Sequence, residues 1–123
     1  MLKKGITLLT AIGSMGLATL PQLPAQAATC GYASHNGVGD GYGGQRTASG
    51  ERMDPYAMTA ANLDYPLGTR LRVTDQRTGR SVVVRINDRG PYAGGRVLDL
   101  SYGAFSAIRN PSAGETYVCY SRV

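Results

Sequence analysis

The chain has no Trp, one Phe, one His and two Cys in 123 residues, and each shortage removes a class of function. One histidine and two cysteines cannot form the His- or Cys-rich constellation that holds a metal. No metal and no other cofactor is expected. A Ser/His/Asp nucleophilic set cannot be assembled around His35, which reads as a solvated loop residue. Heptads and solenoid repeats are missing. The one extended apolar run, Ile6 to Leu20, is 15 residues long and interrupted by Thr, Ser and Gly. That is too short and too broken for a stable membrane span. The formal charge of +5 is gathered into no basic cluster or recognition helix, so no nucleic-acid partner is expected.

What is present begins with an export signal. Lys3 and Lys4 precede the apolar run, and Ala25-Gln26-Ala27 follows as a small-residue cleavage site, so residues 1–27 read as a signal peptide. Residues 28–123 then form one compact domain of 96 residues. Its net charge is about +3, from 11 basic and 8 acidic residues, a mild excess that favours anionic polymers. In an exported chain, Cys30 and Cys119 read as one disulfide joining the two ends of the domain. Closing so long a loop is worth about 4–5 kcal/mol in the chain-entropy model.

Seventeen Gly and six Pro separate short apolar runs, the pattern of a small all-β domain with many turns. Strands are expected at 31–34, 58–61, 70–74, 81–86, 97–100 and 116–123. The second of the long strands returns from the first through Gln76-Arg77-Thr78-Gly79 as a hairpin. Ser101 is placed to cap a short helix through Ile108. Residues 35–45, with five Gly, read as an exposed loop. About six strands and one short helix suit a small closed barrel.

The densest chemistry lies in Ser81-Val82-Val83-Val84-Arg85-Ile86-Asn87-Asp88-Arg89-Gly90-Pro91. An apolar strand runs straight into a turn carrying an acid and a base, and a rigid strand that presents polar groups on a turn can build a site. The plainer alternative is that Asp88 caps its own turn and pairs with Arg89.

Neighbouring segments extend this pattern. They are Thr47-Ala48-Ser49-Gly50-Glu51, Ala57-Met58-Thr59-Ala60-Ala61-Asn62, Pro66-Leu67-Gly68-Thr69 and Gly95-Arg96-Val97-Leu98-Asp99-Leu100-Ser101. In this order and spacing, from about Gly31 to Ile108, the chain resembles the rare lipoprotein A (RlpA) family. The resemblance implies a six-stranded double-psi β-barrel, related to the expansins, and an endolytic peptidoglycan transglycosylase. Such an enzyme cleaves glycan strands without water, because the sugar's own 6-hydroxyl attacks to leave a 1,6-anhydro end. One acid/base residue and negative charge near the oxocarbenium-like transition state can suffice.

Carried over residue by residue, the resemblance places Asp88 and Glu51 on two catalytic positions. Asn62 takes the third, where the family has His. Asn orients partners but exchanges no proton near neutral pH. Asp88, behind an apolar strand, is expected to be held firmly; Glu51, in a Gly-containing turn, is expected to be solvated and to act by position or charge. Arg89, Asp99 and Tyr92 are the expected substrate-binding residues. Asp99 matches the acid of the expansin signature, or else caps the Ser101 helix or pairs with Arg85 or Arg96. Ala33-Ser34 leads into His35-Asn36 where the family carries a Trp-Tyr pair, which removes a sugar-stacking surface. Thr29 fits poorly before a lipidated cysteine, so a soluble, exported monomer, periplasmic or extracellular, is expected rather than a lipoprotein. The competing reading is a non-catalytic, expansin-like module that binds glycan and loosens the wall. A secreted structural protein with a relic groove is the third.

Overall fold

The computed structural model describes residues 28–123; the expected signal peptide lies outside them. The elements are β1 (Thr29–Asn36), β2 (Thr59–Ala61), β3 (Arg70–Asp75), β4 (Ser81–Asp88), β5 (Arg96–Ser101), α1 (Tyr102–Ile108) and β6 (Glu115–Arg122), with a 3-10 turn at Pro111–Ala113. All six expected strands and the expected helix are there. The alternation is plainest in β3, where exposed Arg70 and Arg72 flank buried Leu71 and Val73.

Those inward rows make one core. Leu71, Val73, Val84, Ile86, Leu98, Leu100, Val118 and Tyr120 are each 2% exposed or less. Burial stabilises each large apolar side chain by roughly 1.5–3 kcal/mol. Ser101 caps α1: its Oγ accepts the Ala104 N–H at 3.1 Å and donates to the Ala57 carbonyl at 2.6 Å. The capped helix turns Ala104, Phe105 and Ile108 into the core.

The strands close in the order β1-β5-β2-β4-β3-β6. Pairs β1–β5 and β2–β4 are parallel, and the other four are antiparallel. Parallel partners need crossover connections. Here neither parallel pair is consecutive in sequence, so the chain crosses the barrel twice, as a double-psi barrel does. Cys30 and Cys119 stand directly opposite each other on β1 and β6 and form the expected disulfide, S–S 2.04 Å. Among the described residues no helix is long and apolar enough to cross a membrane.

Two expectations are corrected. His35 is no solvated loop residue, because β1 continues through Asn36. Its ring packs edge-on against Phe105, centroids 4.8 Å apart, and its Nε2 lies 2.9 Å from the Pro111 carbonyl. Asp88 is not at a turn tip but is the last residue of β4, and the chain leaves through Gly90, whose φ of 129° suits glycine.

Candidate active site

Four strands bring the site together. Ala61 on β2 is in register with Asp88 on one side and Asp99 on the other. Asp99 is in turn in register with Ser34 on β1. Two strand spacings separate Asp88 from Asp99, about 9.5 Å between their Cα atoms. The residue between them is an alanine, so nothing bulky rises from the floor. Both aspartates border a recess of about 10 Å³ above it, the space of roughly one water molecule.

The two carboxyls are held differently. Asp88 is half-buried. Its Oδ1 accepts the Ala48 N–H at 3.0 Å and the Arg89 N–H at 2.9 Å, while Oδ2 has no hydrogen-bond partner among the described residues. The Arg89 guanidinium goes elsewhere: Nη1 donates to the carbonyls of Asn62 and Tyr65, at 2.9 and 2.7 Å. Asp99 accepts from Ser34 Oγ at 2.9 Å and from Asn36 Nδ2 at 2.8 Å. Burial pushes its pKa above the usual carboxylate range, against the opposing pull of Ser34, the Arg96 charge and Asn36. Arg96 itself donates from Nη1 to Ser34 Oγ at 2.6 Å. Neither helix capping nor Arg85 occupies Asp99, since Ser101 caps α1 and Arg85 pairs with Glu51.

Asp88 stands where two cavities meet. One, about 420 Å³, lies under the Gly-rich segment and is lined by Asp40, Tyr42, Gln45, Arg46, Met53 and Asp88 among others. The other, about 260 Å³, is bounded by Asp88, Arg89, Tyr92, Arg96, Asp99 and, from the first cavity, Tyr42. Tyr42 and Tyr92 are 54% and 80% exposed. They offer apolar faces where the chain lacks tryptophan.

Glu51 and Asn62 line neither cavity. Glu51 is not the free, solvated carboxylate its turn suggests. It takes two hydrogen bonds from Arg85, at 2.6 and 3.2 Å, one from Asn87 Nδ2 at 2.9 Å and one from Ser49 at 3.3 Å. Hydrogen bonding from Arg85 above all, then from Asn87, lowers its pKa to about 2. β4 carries a register shift between Ile86, opposite Ala60, and Asp88, opposite Ala61, so Asn87 and Asp88 both border the small recess over Ala61 while their side chains take different partners. Asn62 is 1% exposed. Its Oδ1 accepts the N–H groups of Asp64 and Tyr65, both at 2.8 Å, and its Nδ2 donates to the Val97 carbonyl at 3.0 Å. Asn62 therefore builds the turn after β2, and Arg89 ties that turn to the end of β4.

Sequence reasoning missed Ser34, Asn36 and Tyr42. Ser34 and Asn36 have the two-residue spacing that puts both on one face of β1, which was a usable signal. Nothing local marks Tyr42, whose place depends on how the 37–53 segment folds back over the barrel. That fold begins at Gly37, φ 109°, where a Cβ would stand 2.8 Å from Met53 and Pro55.

A protein-family model described as Lytic transglycolase matches residues 29–120. Over 91 residues the chain is 58% identical to the "Probable endolytic peptidoglycan transglycosylase RlpA" of Nostoc sp., covering 72% of this chain and 24% of that protein. It is 45% identical over 80 residues to the "Endolytic peptidoglycan transglycosylase RlpA" of Pseudomonas aeruginosa strain UCBPP-PA14, covering 65% of this chain and 24% of that protein. The chain thus spans about a quarter of the length of these relatives. Among solved structures, a Clavibacter michiganensis expansin in complex with cellohexaose superposes with a TM-score of 0.63 at 26% identity, over 79% of this chain and 50% of that one. The Streptomyces papain inhibitor shares the fold at 19% identity, with a TM-score of 0.63 over 83% of this chain and 99% of that one. With the family model covering nearly all of the barrel and the relatives agreeing, the chain belongs to the RlpA-like lytic transglycolase family of double-psi β-barrels.

Proposed function

We propose that this domain is exported and cleaves peptidoglycan glycan strands without water, leaving 1,6-anhydro ends, with Asp88 as the acid/base residue. The observation that carries the proposal is that Asp88 and Asp99 face one cleft across Ala61, between exposed tyrosine rings. In this reaction the C1–O4 glycosidic bond breaks and a C1–O6 bond forms within the same sugar. One proton moves from the 6-hydroxyl to the departing O4, and no outside reactant is consumed. Asp88 suits both transfers: Oδ1 is fixed by two backbone N–H groups and Oδ2 is open to the cleft. Asp99, within the same cleft, would tune the charge beside the oxocarbenium-like centre and hold a sugar hydroxyl.

Tyr92 and Tyr42 would stack the sugar rings, and Arg96 would bind polar substituents beside Asp99. Glu51 then acts as a positioning residue. Through Arg85 and Asn87 it fastens the 47–51 turn to β4, and that turn supplies the Ala48 N–H that aims Asp88. Asn62 and Arg89 position the end of β4 from the other side.

The test is incubation with glycan stripped of its stem peptides, followed by mass spectrometry of the products. Anhydro-ended fragments from the wild type, lost in Asp88→Asn, are expected. The second reading, an expansin-like binding module, is favoured by Asn62, which cannot exchange a proton where the family has His. That reading wins if the wild type binds glycan and yields no anhydro ends.

A further inference from the structure

Arg96 is held firmly at the wall of the cleft and still has donors to give. It is half-buried and lines the 260 Å³ cavity with Asp88, Asp99 and Tyr92. Its Nε donates to the Ala93 carbonyl at 3.2 Å, and its Nη1 to Ser34 Oγ at 2.6 Å. Nη2 has no hydrogen-bond partner among the described residues. No carboxylate pairs with the guanidinium there either, the one salt bridge being Arg85–Glu51. Ser34 Oγ donates in turn to Asp99 Oδ1 at 2.9 Å, so the guanidinium stands two hydrogen bonds from the Asp99 carboxyl.

The other arginines that line the two cavities are placed differently. Arg89 commits Nη1 to the carbonyls of Asn62 and Tyr65 and fastens the turn after β2. Arg46 lines the 420 Å³ cavity on the other side of Asp88 and shares it with Asp40, whose carboxylate opposes an anion. The cavity of Arg96 has acids of its own. Asp88 and Asp99 both border it, so an anionic group is admitted only where a cation receives it. Ser34 and the Ala93 carbonyl fix that receiving point.

We infer that Arg96 binds the carboxylate of the lactyl ether on N-acetylmuramic acid, and so seats that sugar, rather than its N-acetylglucosamine neighbour, in the cavity beside Asp99. The inference rests on the glycan-cleaving reading of the cleft. In a glycan strand without stem peptides the lactyl carboxylate is the charged group, and N-acetylglucosamine carries none. A planar guanidinium anchored through two nitrogens presents its remaining N–H groups in a fixed direction. Its bond to a carboxylate is about twice as strong as a neutral one. A charge on alternate sugars also sets the direction of the strand across Asp88. The lactyl sugar then offers its C1 and 6-hydroxyl to Asp88, and the uncharged sugar lies in the cavity under the Gly-rich segment.

The experiment compares soluble glycan strands stripped of stem peptides with the same strands after their carboxylates are converted to methylamides. Equilibrium binding is measured by thermophoresis in the Asp88→Asn protein, so that the strands stay intact. Free-carboxylate strands should bind about tenfold more tightly than amidated ones, the effect of one charge-assisted contact open to solvent. Adding Arg96→Gln should bring that ratio to about one, by weakening binding of the charged strands. Adding Arg46→Gln should leave it at about tenfold. Equal binding of both strands with Arg96 intact, a ratio that survives Arg96→Gln, or a ratio lost in Arg46→Gln overturns the inference. If circular dichroism shows the Arg96→Gln protein unfolded, Ser34→Ala, which frees Nη1, makes the same comparison. The ratio should then fall to about threefold, and an unchanged ratio overturns the inference. Anhydro-end formation by the wild type on stripped strands is measured in parallel. Its absence overturns the reading of the cleft, while the binding ratio reports on Arg96 alone.

Discussion

Asn87 and Asp88 are consecutive residues at the end of one strand and border the same small recess, yet they take different partners. Asn87 turns back with Arg85 to hold Glu51, while Asp88 opens on the cleft with Asp99. Glu51 takes three hydrogen bonds on Oε2 and one on Oε1, and Arg85 with Asn87 keeps it ionised far down the pH scale, to a pKa of about 2. Asp88 keeps an oxygen free, and burial pushes the pKa of Asp99 upward. A carboxylate bonded through both oxygens is a fastener. One with a free oxygen at the junction of two cavities is placed to react. Motif position alone puts Glu51 and Asp88 in one class; the hydrogen bonds divide them.

The sharpest break of this comparison is substitution at each carboxylate. Asp88→Asn should lower the yield of anhydro ends by about 100- to 10,000-fold, the range for losing an acid/base group, whereas Glu51→Gln should reduce it only severalfold. Equal losses on the same stripped glycan would erase the distinction between the two carboxylates.

Steady-state kinetics separate binding from chemistry at the cleft wall. Tyr92→Ala should raise KM about tenfold, the value of one aromatic contact of roughly 1–1.5 kcal/mol, with kcat within about twofold. A fall in kcat alone would remove Tyr92 from the binding surface.

At the ion pair, Glu51→Gln and Arg85→Gln should each cost about 1 kcal/mol in urea unfolding at pH 7, a figure reduced for the solvent that reaches this pair. Their double variant should cost much less than the sum, because both remove one interaction. The folded pKa of Glu51 lies below its unfolded value of 4.5. Its contribution is therefore fully present above pH 4.5 and fades as pH falls toward 2. Additive losses, or losses unchanged at pH 2.5, would show that the pair is not the fastener.

Asp99 should behave in the opposite sense. Its folded pKa is raised by burial, so wild type should lose stability relative to Asp99→Asn as pH rises through that value, with the difference closing below the ordinary carboxylate range. Thermal midpoints of both proteins at pH 3, 5 and 7 measure it. A variant less stable at pH 7 than at pH 3, relative to wild type, would mean that the bonds from Ser34 and Asn36 outweigh burial.

Much of the fold was legible because its signals are local. Period-two alternation in Arg70-Leu71-Arg72-Val73, the Ser101 cap and the two cysteines at the ends each depend on nearby residues or on simple arithmetic. His35 was misread because Gly-rich sequence follows it, and the packing of its ring on Phe105, 70 positions away, leaves no local trace. Asn62 looked like a weakened catalytic residue. Its side chain turned out to be engaged by the backbone of Asp64, Tyr65 and Val97. Asp99 was legible as an acid, but its partners Ser34 and Asn36 come from a strand more than sixty residues earlier.

By itself, the order of apolar and polar residues determined that this chain makes short strands, a capped helix and a closed barrel with its ends bridged by Cys30 and Cys119. Strand alternation and capping act over a few residues, and sequence records them directly. Which carboxylates share a cleft was decided only by the tertiary structure. A parallel pairing with β4 and an antiparallel one with β5, on either side of β2, set Asp88 and Asp99 in register with Ala61, and a register shift after Ile86 brings Asp88 to that position. Register across non-consecutive strands is a property of the closed sheet, so no segment of the sequence holds it alone.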